Sequence, residues 1–236
     1  IRTGFRNARL SGGRRPSIDA AGSPFDPAGL PVFEDDFNLL FGGLLFELDS
    51  RDPERDFSPG SGLRLQGFGD FYLGVDDSRL RFFRYGTRPA AFWDISRTNH
   101  VLVLSLYAEA VSRVGGEPVP ISELVVLGGE DYLRGFVLGR FRGESALVHS
   151  LTYTWPVLIF LDGILFTELG NVFEGFYRDF SYDKMVLDWG FGLRTNLSRE
   201  YGFNLLLAFG SNQIEQWNDG FAVDNLRFSV GATRAF

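Results

Sequence analysis

The sequence predicts an all-β fold, a transmembrane antiparallel β-barrel to which this chain supplies nine or ten strands. Three observations carry that prediction. Apolar and polar residues alternate with period two over stretches of about ten or more residues, against a usual five or six in a soluble sheet. The connections between these stretches alternate between short and long. Small and polar residues recur on the face opposite the apolar one, as a lumen demands. Alternation alone does not separate such a barrel from a soluble sandwich; strand length, small residues on the polar face and loop asymmetry favour the barrel and leave the sandwich as the minor alternative.

Composition agrees. The chain holds 25 Phe, 8 Tyr and 4 Trp among 236 residues, with 29 Gly and no Cys. Its apolar residues are numerous yet evenly diluted, which is what two-faced strands produce. No apolar run reaches the length of a membrane-crossing helix, so a helical span is excluded, whereas barrel strands leave little hydropathy signal. A formal net charge of -7 argues against a nucleic-acid partner. His100 and His149 are the two histidines, and with no Cys a metal site has little to draw on. No Ser/Asp pattern accompanies His149, so neither enzymatic activity nor a cofactor is expected. The chain opens at Ile1 without an apolar signal segment, which reads as a processed form or a fragment.

Taken in order, residues 1–37 are rich in Gly, Pro, Arg and Ser and read mostly as loop, with one possible strand at their start. Residues 38–236 carry the barrel strands. Leu40, Leu44, Phe46 and Leu48 share one face over 38–49. After a charged turn at 50–61, Leu63, Leu65, Phe71 and Leu73 oppose Arg64, Gln66, Asp70 and Tyr72. The stretch 79–93 is less regular because Pro89 interrupts it. Residues 99–113 and 145–155 alternate cleanly, as do 161–173, 184–197, 202–213 and 225–236. With the last strand ending in the periplasm, turns 94–98, 157–160 and 198–201 are short and periplasmic. Loops 114–144, 174–183 and 214–224 are long and external. The connections 75–78 and 50–61 break this rule. Trp93, Trp155, Phe160, Tyr201, Phe203 and Phe236 then gather at the periplasmic rim as an aromatic girdle.

The longest connection, 114–144, contains L-G-G-E-D-Y-L-R-G-F-V-L-G-R-F-R-G at 127–143. Five glycines and three arginines without either periodicity predict a loop of fixed shape. L-R-G-F (Leu133, Arg134, Gly135, Phe136) followed by G-R-F-R-G (with Gly139, Arg140, Arg142 and Gly143) resembles the loop of the BamA/TamA family of outer-membrane assembly barrels, the bacterial surface antigen family. F-T-E-L-G-N-V-F at 166–173, G-F-G-L-R at 190–194 and a final F-S-V-G with terminal Phe resemble the same family in the same order. The resemblance runs from about Phe46 to the C-terminus.

That resemblance implies a sixteen-stranded barrel whose sixth external loop folds back into the lumen. Arg134 is then expected to meet an acidic inner-wall residue, Glu168, beside Gly170, and exchanging the two charges should restore part of what either loss removes. Phe228, Val230, Gly231 and Phe236 form the closing strand and C-terminal signal. The family's second acidic residue, on the strand after the loop, is matched here by Thr152. Asp188 and Arg194 read as ordinary lumen residues. Nine or ten strands would fill their lumen with their own side chains, so the chain is expected to be the C-terminal part of a larger barrel, or one of two copies forming it. The implied function is assistance to insertion, assembly or translocation of outer-membrane proteins through a lateral seam. The alternative is a structural barrel anchoring a larger cell-envelope complex. Implied partners are outer-membrane lipids, nascent outer-membrane proteins and other envelope subunits, in the bacterial outer membrane.

Overall fold

Ten strands hydrogen-bond in one antiparallel sheet in the computed structural model, which describes residues 1–8, 37–51, 60–75, 80–95, 97–115, 117–195 and 201–234. They are β1 (Arg2–Ala8), β2 (Phe37–Asp49), β3 (Gly62–Gly74), β4 (Arg81–Asp94), β5 (Val101–Arg113), β8 (Ser145–Leu158), β9 (Leu161–Phe173), β10 (Val186–Thr195), β11 (Tyr201–Gln213) and β12 (Val223–Arg234). Each pairs with its neighbour in sequence, except that β5 pairs with β8 across the long loop. Most are 12 to 14 residues long, enough to cross a bilayer at a tilt. Among the described residues the sheet does not close, and β1 and β12 are its two edges.

Pro89 sits inside β4, and its effect is visible on one side only. The β4–β5 ladder omits Arg88 and Pro89 while keeping its register, because Pro brings no N–H to the ladder. The β8–β9 connection is a tight hairpin in which Leu158 opposes Leu161. Outward positions such as Leu104, Leu151, Leu165, Phe191, Leu205 and Leu226 are exposed, as lipid-facing residues of a barrel are. Most of the anticipated turns 50–61, 75–78 and 198–201, the stretch 9–36, and Phe236 lie outside the described residues.

Two sequence expectations need correcting. The inner face is not uniformly polar. Over its external half, Phe37, Leu39, Tyr72, Phe82, Tyr107, Val111, Val148 and Val186 form one buried cluster with Val125, Leu127, Leu133 and Phe136 of the long loop. The hydrophobic core is therefore in the concavity of the sheet, and the loop supplies a third of its buried residues. Nor is the loop irregular throughout. Val125–Leu127 (β6) and Phe141–Gly143 (β7) pair as a two-stranded ribbon that closes the base of the 128–140 tip.

Candidate functional site

The tip of the loop lies against the inner wall, held there mainly by its own backbone. Leu133 adopts a left-handed φ of 53°, and Phe136 N–H closes a turn on the Leu133 carbonyl at 3.0 Å. This turn points the N–H groups of Leu133, Arg134 and Gly135 at the wall, a concavity of successive amides that suits anions. Two carboxylates meet it. Glu168 of β9 and Asp188 of β10 face each other in register. Glu168 Oε2 accepts from Leu133 N at 2.7 Å and Arg134 N at 3.4 Å, and Asp188 Oδ2 accepts from Gly135 N at 2.5 Å.

The Arg134 side chain adds to this. Its Nη2 is 3.3 Å from Glu168 Oε1, and its guanidinium lies 4.3 Å from the Phe166 ring centroid. Ser150 Oγ donates to the same Glu168 oxygen at 3.4 Å. Glu168 is 1% and Asp188 0% exposed, so both carboxylates depend on these donors. Thr152, where the resemblance places a second acidic residue, is buried. The second carboxylate of this site comes instead from Asp188, which a reading of it as an ordinary lumen residue overlooked. Its inward parity between Leu187 and Trp189 was the available signal.

Gly135 and Phe136 fit the wall by shape. A Cβ on Gly135 would lie 2.7 Å from the carbonyl carbon of Phe209, and one on Gly210 would lie 2.5 Å from the Phe136 ring. The loop backbone can approach β11 only because both positions lack a side chain.

Contacts on the opposite side were not anticipated. Tyr132 stacks on Tyr107 of β5 with centroids 4.2 Å apart, and the Arg88 guanidinium lies 5.1 and 5.9 Å from these two rings. Tyr107 Oη donates to Glu109 at 2.7 Å, Glu109 pairs with Arg84 at 2.5 Å, and Arg6 of β1 pairs with buried Glu123 of the loop at 2.7 Å. From the other edge of the sheet, Arg227 of β12 donates to the Gly129 and Arg134 carbonyls and lies 3.9 Å from Glu130. The loop thus touches both edge strands.

Other anticipated site residues lie elsewhere. Gly139 takes a left-handed φ of 79° beside Arg142, whose Nη1 donates to the Ile121 carbonyl at 3.4 Å; Arg140 is exposed, and Gly143 pairs with Val125. None of these four joins the Glu168 and Asp188 cluster. Gly170 is pressed by Val148, not by the loop: a Cβ there would lie 2.8 Å from Val148 Cγ2. Phe228 and Val230 point outward and are exposed, whereas Gly231 faces Glu130 of the loop.

Comparisons with known proteins agree with this geometry. The model of the Omp85 superfamily domain matches residues 34–233. A solved structure of BamA from Haemophilus ducreyi lacking POTRA domains 1-3 is similar at a TM-score of 0.56 and 16% identity. The match covers 85% of this chain and 42% of that one, so the chain spans less than half of the BamA structure. No curated protein matches. An open antiparallel sheet of long strands, a loop folded into its concavity and a domain match over most of the sequence together establish that the chain belongs to the Omp85 superfamily.

Proposed function

We propose that this chain is the C-terminal part of an outer-membrane barrel that assists insertion, assembly or translocation of outer-membrane proteins through a seam at β12. One observation carries this reading: β12, the strand that would close the barrel, pairs with β11 and passes the tip of the internal loop, where Gly231 faces Glu130. A closing strand whose outer edge opens beside such a loop recruits an incoming strand by β-augmentation. Nascent outer-membrane proteins are the matching clients, outer-membrane lipids the surroundings, and no chemistry on a substrate is involved. The test is refolding of a small client barrel in lipid vesicles with and without the full-length protein, using a photo-crosslinker at Ser229. Faster client folding with crosslinks to client strands is expected; unchanged folding and no crosslink would overturn the reading.

The Arg227 contacts favour a second reading. A loop that holds both edge strands also suits a structural barrel anchoring a larger envelope complex. In that case vesicle assays show no acceleration, and the barrel co-purifies with envelope subunits.

A further inference from the structure

The two outer loops that follow β9 and β11 fold down over the outside of the wall. On β9, Asn171 and Phe173 share the outward parity of Leu165, yet both are buried. The loop after β9 covers them. Asn171 Nδ2 donates to the Lys184 carbonyl at 2.5 Å, and the Phe173 ring packs between Tyr177 and Phe180. Gln213, at the end of β11, donates to the same Lys184 carbonyl at 3.1 Å. Tyr177 Oη reaches across to the Ala146 carbonyl at 2.8 Å.

Ring contacts continue around the wall. Phe176 lies 6.0 Å from Tyr85 of β4, Tyr182 stacks on His149 of β8 at 6.2 Å, and Phe221 lies 5.8 Å from Trp189 of β10. Trp217 packs edge-on against Phe221 at 5.3 Å. These contacts hold both loops against outward-facing residues of four different strands. Phe176, Phe180, Tyr182 and Phe221 are nonetheless 40 to 66% exposed on their far side.

We infer that loops 174–185 and 214–222 form an aromatic collar that seats the barrel in the acyl-to-headgroup boundary of the outer leaflet. This rests on the outer-membrane reading above and adds where the membrane ends on this wall. Three arguments select lipid as the occupant. The exposed rings continue the apolar band of Leu151, Leu165 and Phe191 without a break in kind. Phenol and indole rings, apolar in body and polar at one edge, suit that boundary. Asn171 and Gln213 would be costly on a bare lipid-facing wall, and the Lys184 carbonyl of the first loop accepts from both of them. The uncovered band on β9 runs from Leu161 to Leu169, which at about 3.3 Å per residue and a tilt of about 40° is roughly 20 Å tall. That is close to the apolar height of such barrels, so the collar falls at its upper margin.

The test uses the full-length protein refolded into phosphatidylcholine vesicles carrying bromine at one acyl depth at a time. Every tryptophan of the protein other than Trp217, with Trp93, Trp155 and Trp189 among them, is replaced by Phe, leaving Trp217 as reporter; a second protein adds Trp217→Phe and Leu165→Trp to report the mid-band. Trp217 is expected to be quenched several-fold more by bromine nearest the headgroup than by the deepest bromine, and Leu165→Trp the reverse. Trp217 unquenched at every depth while Leu165→Trp is quenched would put the loops in water and overturn the collar alone. Failure of both to be quenched would overturn the membrane reading with it. A polarity-sensitive fluorophore on Phe180→Cys in the otherwise native chain provides a check that spares the tryptophans. Blue-shifted emission in vesicles supports the collar, and water-like emission overturns it.

Discussion

Arg227 on β12 donates to the carbonyl oxygen of Arg134 at 3.3 Å, while the Arg134 guanidinium reaches Glu168 on β9 at 3.3 Å. One loop residue therefore joins the edge strand to a strand three places inward. Arg227→Ala removes the contacts that hold β12 to the loop. Hydrogen bonds from a charged donor contribute about 1.5–3 kcal/mol each, so amide exchange across β12 should quicken by at least roughly tenfold, with β9 unaffected. Exchange measured by mass spectrometry checks this, and unchanged β12 protection would mean that pairing with β11 alone holds the edge.

Glu168 and Arg134 should not behave as equal partners. Glu168→Ala strips the acceptor from Leu133 N–H and leaves the Arg134 guanidinium without its carboxylate, a loss of about 3 kcal/mol. Arg134→Ala leaves the backbone donors in place and should cost about 1 kcal/mol, because the guanidinium contact is long and its side chain 17% exposed. The charge-exchanged pair, Arg134→Glu with Glu168→Arg, should give no rescue. A guanidinium at 168 cannot accept from an N–H, whatever the charge at 134. Heat-modifiable gel mobility of the folded barrel ranks these variants, and a clear rescue would mean that the side-chain attraction dominates.

Gly135→Ala drives a methyl group into the β11 backbone at Phe209 and Gly210, which has no side chain there to move aside. Overpacking of this kind costs about 1–3 kcal/mol, and here it should lift the tip away from Glu168 and Asp188. Thiol labelling reads the displacement. Leu133→Cys, at a buried position, should label slowly in the native background and fast with Gly135→Ala. Leu138→Cys, at an exposed position, should label fast in both.

The loop after β9 carries a pH dependence of defined sign. Lys184 Nζ donates to Asp179 Oδ2 at 2.6 Å, and this hydrogen bond holds the Asp179 carboxyl below the usual carboxylate range. A carboxyl whose pKa is lowered on folding adds stability above its ordinary pKa and loses it as pH falls through the lowered value. Mobility of a spin label at Phe180→Cys should therefore stay flat through neutral and mildly acidic pH and rise only in strong acid. Lys184→Met should shift the onset upward, toward the ordinary range. A rise near neutrality in the unmodified pair would contradict the assignment.

Much of this architecture is written in local pattern. Period two along Leu63, Leu65, Phe71 and Leu73, and again along Leu205, Leu207 and Phe209, depends only on which residues neighbour which in the chain, so strand identity and the lipid-facing parity follow from sequence. The composition of 127–143 likewise marks a shaped loop, and it is the resemblance to the assembly-barrel family that pairs Arg134 with Glu168. Other features join residues distant in the chain. Asp188 is an unremarkable aspartate until the register of β9 with β10 sets it opposite Glu168. Gly210 acquires a role only when the Phe136 ring lies over it. Tyr132, Tyr107 and Arg88 meet only because the loop folds into the concavity, and Arg227 because the edge strand passes the loop tip. The outward burial of Asn171 and Phe173 follows from a loop turning down where alternation alone reads bare wall. Alternation along one strand carries no information about register between strands or about the path of a long loop, because both are chosen by packing and by the need to satisfy buried carboxylates and amides.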